Sequence, residues 1–238
     1  AGNLVHMPAH TYIRMGMYHE GSLANERAIE SDKQYMEQVE EQGVYPLGYV
    51  PHNYHFLWAT ATMEGREDRS LEAAVNTAEI VDKKMMREPG FGTLQHYSVI
   101  PLYGYVRFGK WDEILRYPKP ADDLLYPTGV WHYARGMSYL GTDSLAKAKQ
   151  ELESLKAIAS NDTLNEVTIW DMNTTQELMQ IASRVLEGEI VAKENKYDQA
   201  IAMLNEALAI EDNLQYNEPP DWFFPVRHNL GAVMMEAN

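Results

Sequence analysis

Apolar and small residues recur at helical spacing on both sides of short polar breaks along most of the chain, which predicts helical hairpins. The clearest is 181–214, IASRVLEGEIVAKENKYDQAIAMLNEALAIEDNL, where KENK separates two amphipathic runs. Its small residues are Gly188, Ala200 and Ala207; Tyr197 follows the turn and Leu204 is a large apolar residue in the second run. Turns and small residues place further hairpins at 2–35 (Ala9, Tyr12, Gly16-Met17-Tyr18, Gly21, Ala28) and at 51–84 (the turn at Gly65, then LEAAVNTAEI). Two more fall at 95–128 (Tyr105, Gly109-Lys110-Trp111) and 129–162 (Gly136, Tyr139, Ala148), with a half-repeat at 224–238. A unit of this kind buries its apolar face only against a neighbour, so the expectation is one α–α solenoid over residues 1–238. Since the pattern stops within a repeat at Asn238, the chain is expected to be a fragment of a longer array, or to be capped by an atypical helix.

Proline refines the pattern. Pro51 and Pro225 suit the first turn of a helix, where the missing N–H costs nothing. Pro8 and Pro101 fall inside first helices and should kink them or mark their true starts; a start at Pro8 leaves His6 outside its helix. EEQGVYPLGYVP, the segment around REPGFG, and LQYNEPPDWFFP read as ordered, aromatic-stapled loops along one edge of the array.

The combination LVHMPAHTYIRMGMYHE, NERAIESD, YPLGYVPHNYHFLWATATMEGR, VRFGKWDEIL, GVWHYARGMSYL and NEPPDWFFPVRHNLGAVMMEA resembles a family of bacterial tetratricopeptide-repeat proteins about twice this long. The resemblance covers nearly the whole chain. It implies an all-α, right-handed α–α superhelix with further repeats of the full-length chain outside this sequence, and a histidine pair of HxxxH type upstream. It implies no biochemical activity.

Composition narrows the function classes. A formal charge of −15 over 238 residues, with no Lys/Arg cluster, disfavours nucleic acid. No apolar run reaches the roughly 18 residues needed to cross a bilayer, so no membrane partner is expected. The absence of cysteine excludes disulfides and thiolate metal sites and is compatible with either redox compartment; the cytoplasm is taken as the default.

The candidate chemistry is histidine. In the repeat register His6, His10, His52, His55, His96 and His228 fall on the stripe of the first helices that faces the concave side, six of eight where chance puts about one. His6 and His10 are spaced i,i+4 and His52 and His55 i,i+3, which puts each pair on one helical face. The two helices are neighbours, so the four imidazoles are the candidate ligands of Zn²⁺, with Ni²⁺ or Cu²⁺ as other fits for imidazole nitrogen. The competing expectation is that these rings hydrogen-bond tyrosine hydroxyls and carbonyls, or bind an anionic ligand. His19, in a turn, and His132, near a packing position, read as structural.

Asn3, Arg14, His96, Tyr103 and Arg107 share the same stripe and give a mixed cationic and aromatic groove suited to a peptide, a protein or a small anionic ligand; the alternative is that the arginines pair with acidic neighbours. HExxH, GxSxG, GxxxxGK[ST] and GxGxxG are all absent, and no catalytic residue is assigned. The leading expectation is an interaction scaffold without enzymatic activity and without an assigned cofactor. The alternative is a metal-binding solenoid, either a sensor or a metal-dependent hydrolase with Glu20 or Glu64 as base.

Overall fold

The periodicity of 181–214 becomes two packed helices for reasons visible residue by residue. Thr174 caps α10 (Thr175–Lys193): its hydroxyl accepts the Glu177 N–H at 3.2 Å, and the Glu177 carboxylate takes the Thr174 N–H at 2.8 Å. Asn195 turns the chain at φ 60°, and α11 (Tyr197–Glu211) returns against α10. A Cβ on Gly188 would come within 2.9 Å of the Leu204 Cγ, so glycine there lets the large residue of the second helix seat fully.

The computed structural model describes residues 2–38 and 45–237. It is all-helical, built from hairpins whose successive members pack on one another. The elements before α10 are α1 (Gly2–His6), α2 (Pro8–Arg14), α3 (Tyr18–Gln38), α4 (Val50–Glu64), α5 (Glu67–Glu79), α6 (Gly92–Arg107), α7 (Trp111–Arg116), α8 (Leu125–Gly141) and α9 (Leu145–Ala159). A short β1 (Thr168–Ile169) and β2 (Asn173–Thr174) pair antiparallel before α10, and α12 (Val226–Glu236) follows α11. One apolar core runs from Ile29 to Val233 through the hairpin interfaces. Among the described residues no helix is long and apolar enough to cross a membrane.

The departures from the periodic reading are local. Pro8 starts α2 as its missing N–H allows, yet Met7 keeps helical angles, so His6 ends a separate helix α1 instead of lying in a loop. Pro101 sits inside α6 without ending it. The second helix of the third hairpin is only α7, because the run YPKPAD with its two prolines cannot continue a helix. Residues 40–44 of the first insertion lie outside the described residues; Tyr45–Tyr49 form a π-helical turn leading into α4.

The insertion LQYNEPPDWFFP is not an edge decoration. It runs back across the first helices, because its aromatic side chains gain most by burial there. Phe223 stacks on Tyr103 of α6 at 4.4 Å and Trp222 meets Tyr103 and Tyr133 edge-on at 5.9 and 5.4 Å.

The β1–β2 hairpin docks on the start of α6, where the Trp170 N–H donates to Thr93 Oγ1 at 2.9 Å. A Cβ on Gly92 would lie 2.4 Å from the Thr168 carbonyl oxygen, a backbone atom that has no rotamer to escape into. Gly92→Ala is therefore expected to lower the unfolding free energy by about 1–3 kcal/mol, read by urea denaturation, and to increase solvent exposure of Trp170 in its fluorescence.

Candidate metal centre

Asp32 of α3 sets the frame. Its buried carboxylate accepts the Gly2 N–H at the start of α1 at 2.7 Å, the Tyr45 hydroxyl at 2.5 Å and Asn53 Nδ2 of α4 at 2.7 Å. The acid thus accepts from the otherwise unpaired N–H end of α1 and ties α1 and α4 to one helix. A Cβ on Gly2 would sit 2.2 Å from the Ala28 carbonyl oxygen, which is why the close approach of α1 needs glycine.

On that frame three imidazoles converge. His6 from α1, His10 from α2 and His52 from α4 each offer a ligand atom, and these atoms all lie within 4.8 Å of one another. The ring centroids are 4.8 Å apart for His6–His10 and His6–His52, and 5.8 Å for His10–His52. Phe56, one turn on from His52, packs on all three rings at 4.6, 4.5 and 4.9 Å and forms an apolar floor beneath them.

Hydrogen bonds fix the tautomers of two rings. Asn25 Nδ2 donates to the Gly21 carbonyl at 2.8 Å, so its Oδ1 is the atom that faces His6 Nδ1 at 2.7 Å, and that nitrogen carries the proton. His10 Nδ1 lies 2.6 Å from Glu218 Oε2; a carboxylate accepts, so that nitrogen is protonated too. In their neutral forms both Nε2 atoms then present lone pairs, and the two atoms face each other at 3.0 Å. Two acceptors at that distance repel unless a proton or a cation lies between them. Three nitrogens on one tetrahedral Zn²⁺ stand about 3.4 Å apart, against 3.0 Å for the His6–His10 pair and up to 4.8 Å across the set.

Burial favours the neutral, ligating form. Desolvation pulls His6 down to about 4, with the Asn25 hydrogen bond opposing and His10 assisting. His52 lies well below the usual histidine range, first through burial and then through the neighbouring His6 and His10. His52 Nδ1 is buried and has no hydrogen-bond partner among the described residues.

His55 does not join them. A step of three residues from His52 carries its side chain round α4 to the α6 side, where it stacks on Trp58 at 5.3 Å and meets His96 and Tyr97 edge-on at 5.4 Å. His96 hydrogen-bonds the Tyr126 hydroxyl through Nδ1 at 2.7 Å and is buried beneath the core. His19 pairs with Glu64 at 3.0 Å and His132 with Glu151 at 2.6 Å, both as structural contacts. Glu64 also lies near Arg66, so it is not a free base beside the imidazole cluster.

The 214–225 segment lies against part of the expected groove: Tyr103 is buried, while Arg14 and Arg107 stay exposed. Arg14 lies over the Tyr216 ring at 4.5 Å, Arg107 over Phe224 at 4.6 Å, and Tyr103 under Phe223. The arginines that could have paired with acids instead stack on aromatic rings of 216–224. Asn3 alone of that set borders the imidazole cluster, lining a pocket of about 510 Å³ with His10, His52, Tyr49, Trp170 and Tyr216.

Sequence reasoning missed Asn25, Phe56, Trp170 and Glu218. Phe56 and Asn25 carry no signal beyond ordinary helix positions, whereas NEPPDWFFP was conspicuous but gave no hint that its glutamate reaches α2. No family model matches the chain, nor does any curated protein or any solved structure.

Proposed function

We propose that this protein is a divalent-metal-binding helical-hairpin array of tetratricopeptide type, holding Zn²⁺ through His6, His10 and His52. The single observation that carries the reading is the pair of Nε2 atoms facing each other at 3.0 Å, each on a ring whose opposite nitrogen is held by a hydrogen-bond acceptor, with a third imidazole alongside. Three neutral nitrogens are a catalytic-type donor set, which leaves one position of a tetrahedral ion for water or an exogenous ligand. Asn25 and Glu218 supply the outer partners that orient ligating histidines in such sites. Of the three rings, His10 and His52 line the pocket while His6 is fully buried, which supports an open position directed at the pocket.

The interaction-scaffold reading draws less support, since Tyr103 and His96 of the expected groove are buried and only Arg14, Arg107 and the half-buried Asn3 are left to meet a peptide. No side chain here is placed as a catalytic base, and the proposal stops at metal binding.

The test is titration of tag-free, chelator-treated protein with Zn²⁺ and Co²⁺. One equivalent is expected to bind, with the intense visible absorption of four-coordinate Co²⁺. Glu218→Gln, which keeps the shape but weakens the hold on His10 Nδ1, should reduce affinity about 10–100-fold at unchanged stoichiometry. Absence of stoichiometric uptake by the unmodified chain, or octahedral Co²⁺ spectra, overturns the proposal.

A further inference from the structure

The pocket over the metal centre has walls of an unusual kind. It is lined by Tyr49, Trp170 and Tyr216 together with Met7 and Met172, and none of its lining residues is Lys or Arg. The three rings are 39%, 40% and 60% exposed, so large flat surfaces face solvent beside the imidazoles. Thioethers next to aromatic faces make an adaptable, polarizable wall suited to a flat apolar group. Two amides, Asn3 and Asn217, are the uncharged polar groups of the lining.

Trp170 is held where it is at a conformational cost. It and Asp171 both take left-handed backbone angles, φ 52° and 57°, in the turn between β1 and β2. A bulky residue rarely adopts that region, and where the surroundings enforce it the strain points to a role for the side chain. The enforcement is visible: the hairpin is pinned to α6 through the Trp170 N–H bond to Thr93 and the tight Gly92 contact. The indole stands edge-on to His52 with ring centroids 5.9 Å apart, directly beside a metal ligand.

Resting on the metal reading above, we infer that the open coordination position serves a ligand in which a metal-ligating oxygen is attached next to an aromatic ring, with Trp170, Tyr49 and Tyr216 forming the ring subsite. The oxygen group binds the ion while the ring stacks on the indole. Phosphorylated ligands are disfavoured, because the lining offers no cation to share their charge, and Arg14 is engaged over Tyr216.

The probes are benzohydroxamate and acetohydroxamate, which present the same metal-binding group with and without a ring, titrated into zinc-loaded protein with zinc content followed throughout. Benzohydroxamate is expected to bind about tenfold more tightly, as an aromatic stack in a partly desolvated site provides. In Trp170→Ala the ratio falls toward one while one zinc is retained and acetohydroxamate binding stays unchanged; Trp170→Phe keeps most of the ratio. Inorganic phosphate does not displace either probe. Equal affinities in the zinc-loaded unmodified protein overturn the ring subsite and leave the metal centre standing. A protein that takes up no zinc overturns the metal centre, and the subsite with it.

Discussion

His6→Ala is expected to lose zinc-induced stabilisation. For the unmodified chain, zinc at about 100 times its dissociation constant adds about 2.7 kcal/mol, which in a domain of this size raises the unfolding midpoint by about 5–10 °C. His6 has the largest effect because it is fully buried and sits between the other two rings, within 4.8 Å of each by centroid. Its removal leaves His10 and His52, whose rings are 5.8 Å apart, and the loss should exceed the 10–100-fold typical of an outer partner. The substitution also strands Asn25 Oδ1, so the metal-free variant should itself be about 1–3 kcal/mol less stable. The informative readout is therefore the difference between midpoints with and without zinc, not the midpoint alone. His19→Ala, at an exposed contact with Glu64, serves as control and should keep the full zinc-dependent shift. A His6→Ala protein with an undiminished zinc-dependent shift would sink the triad.

How far the site could be read beforehand follows from how its residues are spaced along the chain. The helical hairpins were legible because period and small residues state them directly: Gly188 opposite Leu204 is a contact written in the repeat. The i,i+4 spacing of His6 and His10 held its meaning across Pro8, since Met7 keeps helical angles through the break between α1 and α2. The assignment of His52 and His55 to one site did not hold for His55, because α4 is sandwiched and its two flanks serve different neighbours. Only the packing of α6 on one flank and of α1 on the other decides which ring goes where.

Glu218 shows the other limit. It lies 208 residues from His10 in the chain, and no local rule predicts that the 214–225 segment crosses α6 and α8 to reach α2. The aromatic content of that segment signalled burial, and it was expected at an edge; the flat, ring-rich faces of Tyr103, Tyr133 and Arg107 on the first helices offered a larger apolar surface. The same event connects the metal site to the fold. Asn173 and Asn217 each donate to Asp221 at 2.7 Å, anchoring the segment, and Glu218 lies within the anchored stretch.

Acid should destabilise the fold steeply between pH 6.5 and about 4, independently of metal. His55 and His96 are both buried and neutral: burial takes His96 down to about 3 and, with His96 beside it, His55 well below the usual histidine range. In the unfolded chain each titrates near 6.5, so on acidification the unfolded state takes up protons that the folded state refuses. Stability is then present above the unfolded value and is lost as pH falls toward the folded one. Each histidine contributes about 1.4 kcal/mol per pH unit over that window. In metal-free protein His6, lowered to about 4, and His52, held well below the usual range by its burial, act in the same direction.

Asp221 works against them. Burial raises its carboxyl to about 6, so the folded state holds a proton there that the unfolded state releases above about 4, and its contribution is fully present at low pH and lost as pH rises through 6. With four histidines opposed by this aspartate, metal-free protein should show a net uptake of about three protons on unfolding near pH 5, or about 4 kcal/mol lost per pH unit. Urea unfolding at a series of pH values between 7.5 and 5 measures this slope. His96→Leu, which removes one titrating group while keeping an apolar filling, should flatten it by about one proton, whatever the substitution does to stability at pH 7.5. A slope unchanged by His96→Leu would mean that His96 is protonated within the fold, contrary to its burial against Tyr126 and His55.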